Sequence, residues 1–189
     1  GLGGIGSATG TVDPYGATTP TVVLRELFWR QGSEEKGWNY RIGKITPDRL
    51  LTASDFIDPV SLGFPVGSQG AGAIALPDSV LGIAAGWFPS EDYRAGLVVS
   101  DAAGSRYDLG DIGQGNFISA GEFQARLFPL SDDAPYSSLT AWHTDGTDDP
   151  SDARGSMTGE DGWGYFVNYQ QELTRDGKNV ALIRYGKSH

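Results

Sequence analysis

GWGYFVNYQQEL at Gly162–Leu173, TRDG at Thr174–Gly177 and KNVALIRYGK at Lys178–Lys187 decide how this sequence is read. In the first segment Trp163, Tyr165, Val167 and Tyr169 occupy alternate positions, and Gly164, Phe166, Asn168, Gln170 and Glu172 fill the places between them. A strand sends successive side chains to opposite faces, so this pattern predicts one apolar, aromatic face and one mostly polar face. Asp176-Gly177 tolerates the positive φ angles of a tight hairpin turn. The last segment is rich in β-formers (Val180, Leu182, Ile183, Tyr185), although either choice of face leaves apolar residues beside Arg184. The stretch predicts an antiparallel hairpin.

The same pattern recurs through the chain. Residues 1–21 are rich in Gly, Thr and Pro and read as loop. Strands are expected at Val22–Gln31, with poor facing because Arg25 and Glu26 break the alternation, and at Trp38–Thr46. Further strands are expected at Val80–Phe88, Tyr93–Ser100, Asn116–Phe128 and Ser137–Thr144. With the hairpin this makes about eight strands and no amphipathic helix. The long connection Pro47–Ser79 leaves room for a helical turn near Ala53–Ile57 and an extended piece at Ala71–Leu76.

Connection lengths narrow the architecture. Between successive expected strands they alternate short and long. An up-and-down transmembrane β-barrel has this form, with short turns at one end and long loops at the other. The strands approach the ~9 to 11 residues that a tilted membrane strand needs. Trp29, Trp38, Trp87, Tyr93, Phe128, Tyr136, Trp163 and Tyr185 stand at strand ends, where interfacial aromatic girdles lie. The expectation is an all-β, antiparallel barrel or barrel section forming one domain, in an outer membrane, with apolar faces toward lipid and polar faces toward an aqueous interior.

Composition excludes several classes. The chain has 189 residues, ample for a single domain, with 28 Gly, 11% aromatics, no cysteine and a formal charge of −10. An acidic chain lacks the basic stripe of a nucleic-acid groove. Without cysteine there is no disulfide framework, thiol nucleophile or thiolate metal site. GLGGIG near the start lacks the preceding strand and the Gly-Lys-Ser/Thr of a phosphate loop, and reads as loop. The opening residues also lack the charged and apolar regions of a signal peptide, so the chain is read either as processed or as a piece of something longer.

WNYRIGKITPDR at Trp38–Arg49 resembles the strand-plus-loop opening of carbohydrate-selective porins, the OprB-type family of Gram-negative outer membranes. There a strand ending Arg-x-Gly-Lys passes into an acidic loop, as Arg41-Ile42-Gly43-Lys44 and Pro47-Asp48 do here. FPVGSQGAGAIALP and GIAAGWFPSEDYRAGLVVSDAAG are similar to the family's following segments, and the resemblance spans Val22–Lys187. It implies a 16-stranded barrel about twice this length, admitting sugars through a narrowed, arginine-lined pore. This sequence has about half those strands and lacks a terminal aromatic at Tyr185-Gly186-Lys187-Ser188-His189, which marks it as an internal section of such a barrel. An open half-barrel would leave two unpaired edges, which membranes do not tolerate.

Arg41, Arg94, Glu122, Gln124, Arg126, Asn168, Gln170 and Glu172 fall on the polar face and are the candidate pore-lining groups, able to hydrogen-bond sugar hydroxyls. The plainer reading is a solvated wall that touches no solute. Trp142 shares a face with Ser138 and Thr140, either as a stacking platform for a pyranose or as a girdle residue. Pro47–Ser79 is long enough to fold inward as a constriction, with Asp48, Arg49, Asp55 and Asp58 setting selectivity, or to pack outside. The acidic loop Asp145–Asp161 does not match an EF-hand and reads as a solvated external loop. His143 and Asp145 share a face, but no nucleophile elbow accompanies them.

The expected function is passive, selective diffusion of small saccharides, with no catalytic residue, cofactor or metal. A complete eight-stranded barrel with a structural or adhesive role is one alternative. A soluble β-sandwich or lectin-like carbohydrate-binding module is the other.

Overall fold

A computed structural model describes residues 4–12, 22–33, 35–47, 79–102, 109, 112–146 and 161–189. The described residues form one antiparallel sheet, with strands β1 (Gly4–Val12), β2 (Val22–Gly32), β3 (Gly37–Ile45), β4 (Val80–Phe88) and β5 (Tyr93–Asp101). It continues through β6 (Phe117–Ala125), β7 (Ser137–Thr144), β8 (Gly162–Glu172) and β9 (Val180–Ser188). A 3-10 turn spans Ile112–Gln114. Each strand pairs with its neighbour in sequence, giving the order β1 to β9 with β1 and β9 at the two ends. The all-β, up-and-down expectation holds.

Two strands depart from the sequence reading. The stretch read as loop at the start contains β1, which pairs antiparallel with β2 from Gly4↔Arg30 to Val12↔Val22. Its Gly/Thr-rich sequence carries no hydrophobic alternation to announce it, and the strand exists because β2 offers a ladder to pair with. β2 itself is bulged: Thr9 pairs with Glu26 and the next residue, Gly10, with Leu24, so Arg25 is skipped. A bulge inserts one residue and shifts the facing, which is why Leu24 and Leu27 are both exposed although three positions apart.

Burial alternates regularly along β6 and β8, whereas β9 at the sheet edge is exposed on both faces, and at several positions the exposed side chain is the more apolar of two neighbours. Along β5 Leu97 is 53% exposed and Val98 1%. Along β8 Val167 is 37% exposed and Asn168 3%. The outer face carries apolar cross-strand rows, such as Trp38↔Trp87, Ala95↔Phe123 and Leu139↔Val167. Trp38 and Trp87 stack with ring centroids 5.7 Å apart, and Tyr93 and Phe123 at 6.1 Å. The inner face holds the buried residues: Glu122, Thr140, Asn168, Gln170 and Glu172 beside a small apolar band of Phe28, Ile45, Ala84, Val98 and Ala120.

Glycine permits a close approach at two places on the sheet. Gly43 has φ +139°, and a Cβ there would stand 2.4 Å from the Leu27 carbonyl oxygen and 3.2 Å from the Phe28 Cβ. A Cβ on Gly164 would fall 2.7 Å from Trp142 Nε1. The Trp142 ring covers Gly164 and supplies the contact that the glycine lacks.

Candidate functional site

The polar inner face is densest at the short-turn end, around Pro89–Asp92 and the Arg126–Tyr136 connection. Strand register brings Arg94 opposite Gln124, Gln124 opposite Ser138, Ser138 opposite Asn168, and Asn168 opposite Arg184. One row of polar side chains therefore crosses five strands. Glu122 lies in the row beside it, opposite Gly96 and Thr140. Its Oε2 accepts from Thr140 Oγ1 at 2.6 Å and its Oε1 from Gln124 Nε2 at 2.5 Å. Burying this carboxylate is tolerable because both oxygens have donors.

Glu172 has a different task from the one its strand position suggests. Its Oε2 accepts the backbone N–H groups of Leu130 and Ser131, each at 2.9 Å, and its Oε1 accepts the Ser131 hydroxyl at 2.5 Å. Gln171 Nε2 donates to the Phe128 carbonyl at 3.0 Å, and Gln170 Nε2 to the Tyr136 carbonyl at 2.9 Å. Three consecutive residues at the end of β8 thus hold the Arg126–Tyr136 connection in place. At the connection's far end the Tyr136 hydroxyl donates to the Glu91 carbonyl, tying it to the β4–β5 turn. Gln170 and Glu172 are structural ties.

Tyr136, expected in an aromatic girdle, stands instead with the arginines. The guanidinium of Arg94 lies 4.1 Å from its ring centroid and that of Arg126 4.8 Å. Arg184, opposite Asn168, lies 4.7 Å from the Phe166 ring. Arg41 is separate: it sits on β3 opposite Arg30, 5.2 Å from the Phe28 ring, two strands from Arg94. The three arginines singled out from sequence therefore divide into a pair and a distant one. Trp142 is half-buried against the Phe28–Ala120 band and lies over Gly164, with no hydrogen-bond partner for Nε1 among the described residues. It packs against the buried face of the sheet.

Sequence reasoning missed Arg184 and Tyr136. For Arg184 a signal existed, since the short TRDG turn fixes the register that sets it opposite Asn168. For Tyr136 there was none, because it lies in a connection and outside any strand alternation. His143 Nδ1 lies 3.6 Å from Asp145 Oδ1, and both are well exposed. The other Asp145 oxygen accepts the Phe117 amide at 3.2 Å, so the carboxylate closes the end of the β6–β7 pair. Pro47–Ser79 beyond its ends, with Asp48, Arg49, Asp55 and Asp58, and most of the acidic Asp145–Asp161 loop lie outside the described residues. No cluster of three or more His, Cys, Asp or Glu suited to a metal occurs among the described residues.

No protein-family model, curated protein or solved structure matches this chain.

Proposed function

We propose that the chain is a section of an outer-membrane β-barrel wall, similar to that of the carbohydrate-selective porins, and that its inner face borders a path for small saccharides. One observation carries this reading: large apolar side chains are exposed along one whole face while carboxylates, amides and hydroxyls are buried on the other. In water, contiguous exposed apolar area of this kind is unfavourable by roughly 25 cal/mol per Å² and is rare in monomeric soluble proteins. Against acyl chains it carries no such penalty, and the buried polar face is then the lining of the barrel interior. Alternating short and long connections support the same assignment, with Ser33–Lys36, Pro89–Asp92 and Leu173–Asn179 at one end.

Among the described residues β1 and β9 are not paired with each other, and an open edge in a bilayer leaves N–H and C=O groups unsatisfied. The reading therefore includes further strands to complete the wall. This favours a larger barrel over a self-closed eight-stranded one.

Planar-bilayer conductance of the full-length protein tests the proposal. Discrete channels whose current falls when mono- or disaccharides are added are the expected result. Channels that no saccharide blocks would remove the saccharide assignment, and absence of channels would remove the pore.

A further inference from the structure

The Arg126–Tyr136 connection does more than join β6 to β7. On one side the Arg126 amide donates to the Asp92 carbonyl at 2.9 Å and the Tyr136 hydroxyl to the Glu91 carbonyl, both in the β4–β5 turn. On the other side Glu172 of β8 binds Leu130 and Ser131. Arg94, Gln170 and Glu172, which meet the segment, all belong to the inner-face alternation. The segment therefore lies across the short-turn end of that face, with its own Ala134 and Pro135 buried.

Glu172 carries most of the bonds to the middle of this strap. Two backbone amides and a hydroxyl converge on it, and each donates. Hydrogen bonds to a charged acceptor are roughly twice as strong as those to a neutral one. A proton on Glu172 removes that charge and gives the group a hydrogen of its own where three donors already point. The closed strap also holds Phe128 at φ +52°, a left-handed conformation unfavourable for a residue with a Cβ. Gln171 fixes its carbonyl there. Opening relieves that strain.

Other charged groups pack around the latch. Arg126, Asp132 and Asp133 lie on the strap, and Glu91, Asp92 and Arg94 at the β4–β5 turn. Arg175, Asp176 and Lys178 belong to the β8–β9 turn, where a Cβ on Gly177 would lie 3.4 Å from Glu172 Oε1. By register Glu122 and Arg184 lie further along the sheet. The Ser131 hydroxyl above all holds the Glu172 carboxyl below its ordinary value; burial opposes this, and the Leu130 and Ser131 amides and the Arg126 charge add to it. A depressed folded-state value means the latch is fully present above the unfolded-state pKa and is lost as pH falls through the folded one.

We propose that the Arg126–Tyr136 connection is a strap closing the short-turn end of the inner face, and that protonation of Glu172 releases it. The closure rests on the reading of this face as the border of a path, whereas the latch does not.

Hydrogen exchange of the full-length protein in detergent micelles tests the latch. Protection of the Leu130 and Ser131 amides, corrected for the intrinsic rate, should be constant above about pH 5 and fall about tenfold or more toward pH 3, while amides within β6 and β8 keep theirs. Glu172→Gln, a neutral mimic of the acid, should show the low protection already at pH 7 and no further change below it. Asp132→Asn with Asp133→Asn removes the strap's own carboxylates and should leave the wild-type profile. Full protection in Glu172→Gln, loss of protection in strap and strands together, or a flattened profile in the double variant overturns the latch. In planar bilayers acid should raise the single-channel current, and Glu172→Gln should carry the higher current at pH 7 as well. Strap release with unchanged current overturns the closure. Absence of channels removes the path reading, and the closure with it, while the exchange result for the latch stands.

Discussion

Leu97 and Val98 are neighbours in one strand, both aliphatic and both β-formers, yet one is half exposed and the other fully buried. Val167 and Asn168 make the contrast sharper, because there the apolar residue is outside and the amide inside. Hydrophobicity alone does not decide which side of this sheet is covered. The outer face is uniform and makes ring-to-ring contacts, whereas the inner face is mixed, with small apolar residues mid-sheet and a hydrogen-bonded polar cluster at the short-turn end. A surface that needs only to be apolar can vary in detail. One that places donors and acceptors cannot.

The largest expected effect breaks the outer face. Phe123→Arg or Val167→Arg should impair assembly by roughly 2 to 4 kcal/mol if the position meets the bilayer midplane. Gln124→Arg, one residue along on the inner face, should assemble. Heat-modifiable migration and refolding yield in lipid vesicles check both, and equal tolerance of all three would erase the difference between the faces.

Next comes the inner wall's flatness. Gly43→Ala places a Cβ against the Leu27 carbonyl in a backbone region that L residues avoid. A loss of about 1 to 3 kcal/mol in urea unfolding from lipid or detergent is expected. An unchanged midpoint would show that β2 and β3 do not approach as described.

The smallest effect is a pH dependence in the β8–β9 turn. The Thr174 hydroxyl donates to Asp176 Oδ1 at 2.6 Å, and the Lys178 amide donates to it at 3.3 Å. These bonds hold the Asp176 carboxyl below its ordinary value, the Thr174 bond contributing most. A depressed folded-state value means the stabilisation is fully present above the unfolded-state pKa and fades as pH falls through the folded one. Protection of the Lys178 amide from hydrogen exchange, corrected for the intrinsic rate, should therefore be constant above pH 5 and weaken toward pH 3. Asp176→Asn should flatten that dependence, and an unaltered profile would show that the carboxylate does not order the turn.

Much of the fold was legible because strand alternation is local. Val80–Phe88 and Ser137–Thr144 are bounded in the structure at the residues where alternation begins and ends. β1 was hidden because pairing, not side-chain pattern, makes it a strand. β2 looked irregular because a bulge changed its facing midway. The candidate site was half legible. Parity placed Arg94, Gln124 and Asn168 on one face, but the role of Glu172 depends on Leu130 and Ser131, more than forty residues away in sequence. No periodicity reports a contact of that kind, and none could show Tyr136 between its arginines.

The central claim is that the apolar face meets lipid and the opposite face packs into the interior. The chain contains no cysteine, so single cysteines can be introduced and spin-labelled without background. The direct measurement is nitroxide accessibility at successive positions 95–99 and 165–169 in the full-length protein in lipid vesicles, read with oxygen and with a water-soluble nickel complex. Oxygen accessibility should peak at 95, 97, 99, 165, 167 and 169 and fall at the packed positions between them, and the nickel complex should not reach the peaks. Access of the nickel complex to 97 and 167, with no period of two, would contradict the account.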